Sequence, residues 1–224
     1  MKQDLINYLL QFVTDNKREK MEEVLETRTR FLTVVVEDIF QPHNASAVVR
    51  TCDCFGIQDI HVIENKNKYK VSEDVTLGSA QWVDIIKHNT KGVDNTLGCY
   101  RKLKEKGYKI IATTPHTNDI ALEDFQMDTK TALVFGSEQN GISEIAKEHA
   151  DGFVKIPMVG FTESLNISVC AAICIHQLTL RMRELSPEVW QLSQEEKETI
   201  YLKWIKGVVR KPDLLEKEFY KRCK

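Results

Sequence analysis

The chain has 224 residues, with 42% hydrophobic and 29% charged side chains, ten Gly and five Pro. That length supports one ordinary domain with extensions, and the composition excludes a fibrous repeat or a disordered chain. A formal net charge of −2 excludes a strongly basic overall field, so any nucleic-acid contact must come from local patches.

The opening stretch MKQDLINYLLQFVTDNKREK carries apolar residues at helical spacing, interrupted by acids. No apolar run approaches the roughly 18 residues of a membrane span, so the chain is expected in the cytoplasm. Residues 3–28 predict two short helices, on Leu5, Leu9 and Phe12 and then on Met21, Val24 and Leu25, broken at Thr14-Asp15-Asn16. Short β-branched runs follow at 31–38, 59–64, 82–88, 108–114, 131–136 and 153–158. Helical segments separate several of them, at Ala45 to Phe55, Val93 to Lys106, Ser143 to His149 and Leu165 to Glu184. This alternation predicts an α/β fold with a mostly parallel sheet covered by helices on both faces. The expected organisation is a helical N-terminal extension (1–30), the α/β domain (31–184) and a basic helical C-terminal extension (185–224).

The six cysteines include no C-x-x-C pair; they are expected to be reduced and mostly buried, and no metal site is expected. The stretch YLKWIKGVVRK from Tyr201 holds Lys203, Lys206, Arg210 and Lys211 without an acid, with Tyr201 and Trp204 interleaved. A second basic group containing Lys17, Arg18, Lys20, Arg28 and Arg30 is diluted by four glutamates, and a solvated helix face explains it equally well.

In parallel sheets ligands bind beyond the carboxyl ends of the strands, which directs attention to three loops, at Thr113-Thr114-Pro115, Gly136 to Gly141 and Pro157 to Asn166. The helix after the first sheet strand has Asn44 as an expected N-cap and Gly56 just past its end. Read alone, it is a capped surface helix. Gly136 and Gly141 flank a polar turn that ends at Ser143, a plausible cap of the next helix. Read alone, that is an ordinary strand-to-helix turn. Neither a phosphate-binding glycine fingerprint nor a G-x-S-x-G elbow occurs.

In their order, three segments, namely the helix after the first strand, the turn from Gly136 and the stretch from Ile156, resemble the motifs of SpoU-type methyltransferases: N-x5-R, then G-x-E-x-x-G-[IS], then I-P-M-x-G-x-x-x-S-L-N-[VI]-S, from about Leu32 to Leu180. The resemblance implies a deep trefoil knot binding S-adenosylmethionine, a homodimer, and methylation of an RNA ribose 2′-hydroxyl. The flanking segments resemble the members that act on the D-loop guanosine at tRNA position 18. Methylation of rRNA or of another tRNA position is one alternative; a non-catalytic RNA-binding relative is the other. Carried onto this sequence, the catalytic set is Asn44, Arg50, Glu138, Ser164 and Asn166. The cofactor set is Thr113, Gly136, Ser137, Glu138, Gly141, Ile156, Met158 and Leu165. Arg28, Arg50, Lys203, Lys206, Arg210 and Lys211 are expected to meet RNA, while Arg181 and Arg183 stand one residue off the family spacing.

Overall fold

A computed structural model describes residues 1–70, 72–114 and 119–222. Pro115, from the first of the three loops, and Cys223 lie outside the described residues. The chain forms two compact units, Thr29–Trp190 and Met1–Arg28 with the segment from Gln191 onward.

The helical unit begins with α1 (Lys2–Leu10) and α2 (Asp15–Glu26), the two helices expected from the periodicity. The sheet unit then runs β1 (Leu32–Glu37), α3 (Pro42–Cys54), β2 (Asp59–Ile63), α4 (Glu73–Thr76), β3 (Asp84–His88), α5 (Asn95–Glu105) and β4 (Lys109–Thr113). It continues through β5 (Ile120–Ala121), β6 (Thr131–Phe135), α6 (Glu144–His149), β7 (Gly152–Lys155), α7 (Ile167–Glu184) and α8 (Pro187–Trp190). Two further helices, α9 (Gln194–Val208) and α10 (Pro212–Arg222), return to the helical unit.

Among the described residues the sheet has seven strands in the order β3-β2-β1-β6-β4-β7-β5, and every neighbouring pair is parallel. Helices cover both faces, which is why β1 reads as an unbroken LTVVV run and all six of its residues are buried. Successive side chains of a strand point to opposite faces. Val34 and Val36 join the core containing Val48 of α3 and Leu178 of α7. Val35 joins the core containing Leu103 of α5 and Ala146 of α6. Tight turns close the units: Gly56, at φ 81, follows α3 as expected.

Under α5, His61, His88 and Cys99 place their ligand atoms within 4.8 Å of one another. The two imidazoles face each other nitrogen to nitrogen at 3.0 Å, 22° from parallel, with ring centroids 5.3 Å apart. That separation puts both nitrogens on the line between the rings, the geometry of a direct N–H···N bond between neutral imidazoles rather than of two lone pairs converging on an ion.

In the helical unit, α1 and α2 pack on α9, and α1 also packs on α10. Ser193 and Glu196 form a reciprocal capping box that starts α9. Lys197 pairs with Glu26 at 2.6 Å, and Tyr201 donates to Glu22 at 2.9 Å. Phe12 is the exception to the expected apolar stripe, since its side chain is exposed.

Candidate functional site

The carboxyl ends of β1, β6 and β7 deliver the three singled-out segments to one cavity of 630 Å³. Its size and mixed apolar and polar lining are those of a small-molecule site. Gly136, Ser137, Glu138 and Gly141 line it from the β6 loop, and Ile156, Met158, Ser164, Leu165 and Asn166 line it from the segment after β7. Thr113 and Asn44 line it too, so Arg50 alone of the expected catalytic and cofactor residues is missing from its lining. Thr113 donates its hydroxyl to Val134 O at 3.0 Å, which commits that side chain to the sheet.

Asn44 departs from its expected role as a cap. Pro42 occupies the first turn of α3, where its missing N–H costs nothing, and Gln41 is the N-cap. Asn44 therefore sits inside the first turn with its amide turned to the cavity. Its Nδ2 donates to Glu138 Oε1 at 2.7 Å, and its Oδ1 accepts from Asn166 Nδ2 at 3.2 Å. Asn166 in turn is the N-cap of α7, accepting from Ser168 N at 2.9 Å and Ser168 Oγ at 2.6 Å. The helix expected from Leu165 thus starts two residues later, at Ile167. One line of amide-to-carboxylate hydrogen bonds joins the three segments.

Glu138 also accepts from the backbone N–H of Phe40 at 3.1 Å and of Gln41 at 3.4 Å. Burial alone would raise its pKa, but the hydrogen bonds from Asn44 and the backbone outweigh it and hold the carboxyl below its ordinary range. Glu138 is thus an ionised acceptor that fixes the start of α3.

The two glycines of the loop serve different needs. A Cβ on Gly136 would lie 2.1 Å from the backbone carbon of Gly141. Gly136 is required by the loop's own closure, in which Ser137 and Gly141 exchange backbone hydrogen bonds of 2.9 Å in both directions. The backbone of Gly141, rather than a ligand, is what demands glycine there. Gly141 has φ +64, a left-handed conformation, with open space around its missing Cβ. Ser143 is the expected cap of α6, accepting from Ala146 N at 3.1 Å.

Arg50 is not gathered into the cavity. It is exposed on α3, six residues beyond Asn44 and therefore about 9 Å further along the helix axis. Arg28 is corrected: it is 1% exposed and lies over the Trp204 ring at 5.2 Å, so no phosphate can reach it. Tyr201 and Trp204 are likewise buried, so the aromatics of the basic stretch pack inward rather than toward RNA. Lys206 is half-buried and paired with Glu216 at 2.7 Å, whereas Lys203, Arg210 and Lys211 are exposed. Arg181 donates to the carbonyls of Leu122, Glu123 and Phe125, and Arg183 lies 5.5 Å over Trp190. Lys147, Cys170 and Cys174 also line the cavity. The helical spacing of the two cysteines was the available signal for their common face, while nothing in the pattern of α6 distinguished Lys147.

Residues 31–176 match the SpoU rRNA Methylase family. A tRNA (guanosine(18)-2′-O)-methyltransferase of Borreliella burgdorferi is 43% identical over 211 residues, covering 94% of this chain and 94% of that protein. A protein of the same description from Aquifex aeolicus is 34% identical over 195 residues, covering 86% of this chain and 90% of its own length. The crystal structure of an A. aeolicus TrmH/SpoU tRNA modifying enzyme superposes with a TM-score of 0.77 at 33% identity, covering 87% of this chain and 98% of that one. With the matched region spanning most of the sheet unit and all three cavity segments, the chain belongs to the SpoU methylase family.

Proposed function

We propose that this chain transfers a methyl group from S-adenosylmethionine to the ribose 2′-hydroxyl of guanosine 18 in the D-loop of tRNA. The observation that carries the reading is the convergence of Asn44, Glu138 and Asn166, distant in sequence, on one cavity floored by the Gly136–Gly141 loop. The Borreliella burgdorferi relative named for guanosine 18 matches 94% of the chain and so reaches into the helices outside the sheet unit, which supports tRNA over rRNA as substrate.

The cavity fits the cofactor. Ile156, Met158 and Leu165 offer an apolar wall for an adenine ring, and the β6 loop offers backbone groups beside it. When bound, S-adenosylmethionine supplies a methyl group activated by its sulfonium. The work of the chain is placement, since in-line alignment can contribute roughly 7–11 kcal/mol. Asn44 and Asn166, held by Glu138, orient polar groups at the mouth, and Ser164 extends that face. Arg50 clamps the phosphate beside the target ribose and stabilises negative charge developing on O2′, whose proton leaves to a phosphate oxygen or to water.

This role needs Arg50 to come from a second copy of the chain. Support comes from an apolar stripe on α7, where Val169, Ile173 and Leu180 are exposed at helical spacing, and from Val159 and Phe161, whose side chains are fully exposed beside the cavity. A two-fold pair is the commonest way to cover such a surface. The sheet order, with β6 between β1 and β4 and with β7 beyond β4, supports a trefoil knot around the cavity. Among the described residues no helix is long and apolar enough to cross a membrane, and the proposed location is the cytoplasm, where tRNA is modified.

The test is incubation of purified protein with unmodified tRNA and S-adenosylmethionine, followed by mass-spectrometric nucleotide mapping. The expected product is a single 2′-O-methylguanosine in the D-loop fragment. A methyl group at another nucleotide reassigns the substrate, and cofactor binding without any methylation reassigns the chain as an RNA-binding relative.

A further inference from the structure

Glu37, the last residue of β1, is 2% exposed and belongs to none of the three family segments. Its Oε2 accepts from the backbone N–H of Ser143 at 2.8 Å, and its Oε1 accepts from Ser143 Oγ at 2.8 Å and Thr96 Oγ1 at 2.6 Å. Thr96 Oγ1 accepts in turn from Asn65 Nδ2 at 2.9 Å. The hydrogen bonds to this carboxylate run inward from α5 and from the end of the β6 loop.

The arrangement mirrors that of Glu138. Strands β1 and β6 are neighbours, with Val36 paired to Phe135. Glu138, beyond β6, takes the N–H groups at the start of α3, which follows β1. Glu37, ending β1, takes the N–H at Ser143, the cap of α6, which follows β6. Two carboxylates thus cross in opposite directions and fasten each loop to the strand beside it. The β6 loop is closed at its start by the Ser137–Gly141 exchange and anchored at its end two residues later by Glu37.

We infer that Glu37 is a positioning residue for cofactor binding: its clasp on Ser143 holds the 136–142 loop in the shape that lines the cavity before any ligand arrives. The inference rests on the reading that this cavity takes S-adenosylmethionine. A loop already ordered in its bound shape imposes no ordering cost on the ligand, whereas a released loop does. In Glu37→Gln, an amide nitrogen at the Oε2 position would set donor against donor at Ser143 N–H, and one at the Oε1 position would turn the two hydroxyls into acceptors and leave their protons without the carboxylate they now donate to.

The experiment is calorimetric titration of S-adenosylmethionine, and separately of tRNA, into wild-type protein, Glu37→Gln, Ser143→Ala and the double variant, with thermal melts as folding controls. The expected result is a cofactor Kd raised at least about 10-fold in Glu37→Gln and less in Ser143→Ala, which keeps the backbone N–H bond. The double variant should be no weaker than Glu37→Gln, because both changes break one link. The tRNA Kd should stay within about 2-fold, a split that a general loosening of the fold would not produce. Wild-type cofactor affinity in folded Glu37→Gln overturns the inference, as does an equal loss of tRNA affinity. If Glu37→Gln does not fold, Ser143→Ala decides, and unchanged cofactor affinity there overturns it. Failure of the wild-type protein itself to bind S-adenosylmethionine would instead sink the proposed function.

Discussion

The side-chain amide of Asn44 lies 2.7 Å from the carboxylate of Glu138, although 94 residues separate them in the chain. The pair acts as one unit, because Glu138 fixes the first turn of α3 while Asn44 passes the same interaction on to Asn166. Asn44→Ala and Glu138→Gln should each lower methyl transfer, and the double variant should be no worse than the poorer single one. Glu138→Gln should also cost about 1–3 kcal/mol of stability, since backbone N–H groups lose an ionised acceptor. Additive losses in a kinetic double-mutant cycle would show that the two residues work independently.

Arg50 presents the sharpest test of assembly. A guanidinium is effectively never a free base in proteins, so its expected part is charge stabilisation and not proton removal. Arg50→Ala should reduce single-turnover methylation at saturating substrate by at least about 100-fold with little change in cofactor affinity. Arg50→Lys should recover only a small part, because the planar fork is lost. Mixing inactive Arg50→Ala with inactive Asn166→Ala chains should restore some activity if one site draws on two copies. No restoration, in mixtures shown to exchange subunits, would place Arg50 and Asn166 in the same copy.

The basic stretch predicts a graded response. Alanine at Lys203, Arg210 or Lys211 should weaken tRNA binding and flatten its salt dependence by about 0.7–0.9 in the log–log slope per lost phosphate contact. Lys206→Ala should do less, since Lys206 is already engaged by Glu216. Arg28→Ala should leave the salt slope unchanged and lower the melting temperature, because its guanidinium packs on Trp204 inside the helical unit. A salt slope that does not move in the exposed triple variant would show those cations to be merely solvated.

Acid sensitivity should originate outside the cavity lining. Burial, then the charge of His88 and of the nearby lysines, Lys106 and Lys102, push His61 down to about 3. Burial and the same two lysines push His88 down to about 4. Both rings are neutral when folded but protonate near pH 6.5 when unfolded. Their contribution to stability is therefore present above about pH 6.5 and lost as pH falls toward the folded values. Between about pH 6.5 and 4.5 the loss should reach about 2–5 kcal/mol, seen in urea melts across pH. His88→Gln should flatten that dependence, and an unchanged slope would show that other groups govern acid unfolding.

The sheet was legible because its strands, buried on both faces, carry the continuous β-branched runs that such burial requires, as in LTVVVE of β1. The two-residue β5 and the one-turn α4 were not, since neither is long enough to show a period. The cavity residues were legible through motif order, yet Asn44 reads locally as a cap and only the tertiary position of Glu138 gives its amide another partner. Glu37 had no local signal at all, because its partners Thr96 and Ser143 are 59 and 106 residues away. Arg28 misled for the opposite reason: its neighbours in sequence are charged, while its neighbour in space is Trp204.

The helical unit joins Met1–Arg28 to residues beyond Gln191, with the sheet unit between them in the chain. During synthesis α1 and α2 emerge well before α9 and α10, on which they pack. Isolated helices of about ten residues are marginal in water, so this earlier segment stays unsettled until α9 has been made. Within the sheet, β1 likewise waits for β6, roughly 100 residues later, before its central pairing can form. A nascent chain stalled before Thr131 therefore displays the apolar β1 without its β6 partner, which makes the ribosome-bound intermediate, rather than the finished protein, the species most exposed to aggregation and most dependent on chaperones.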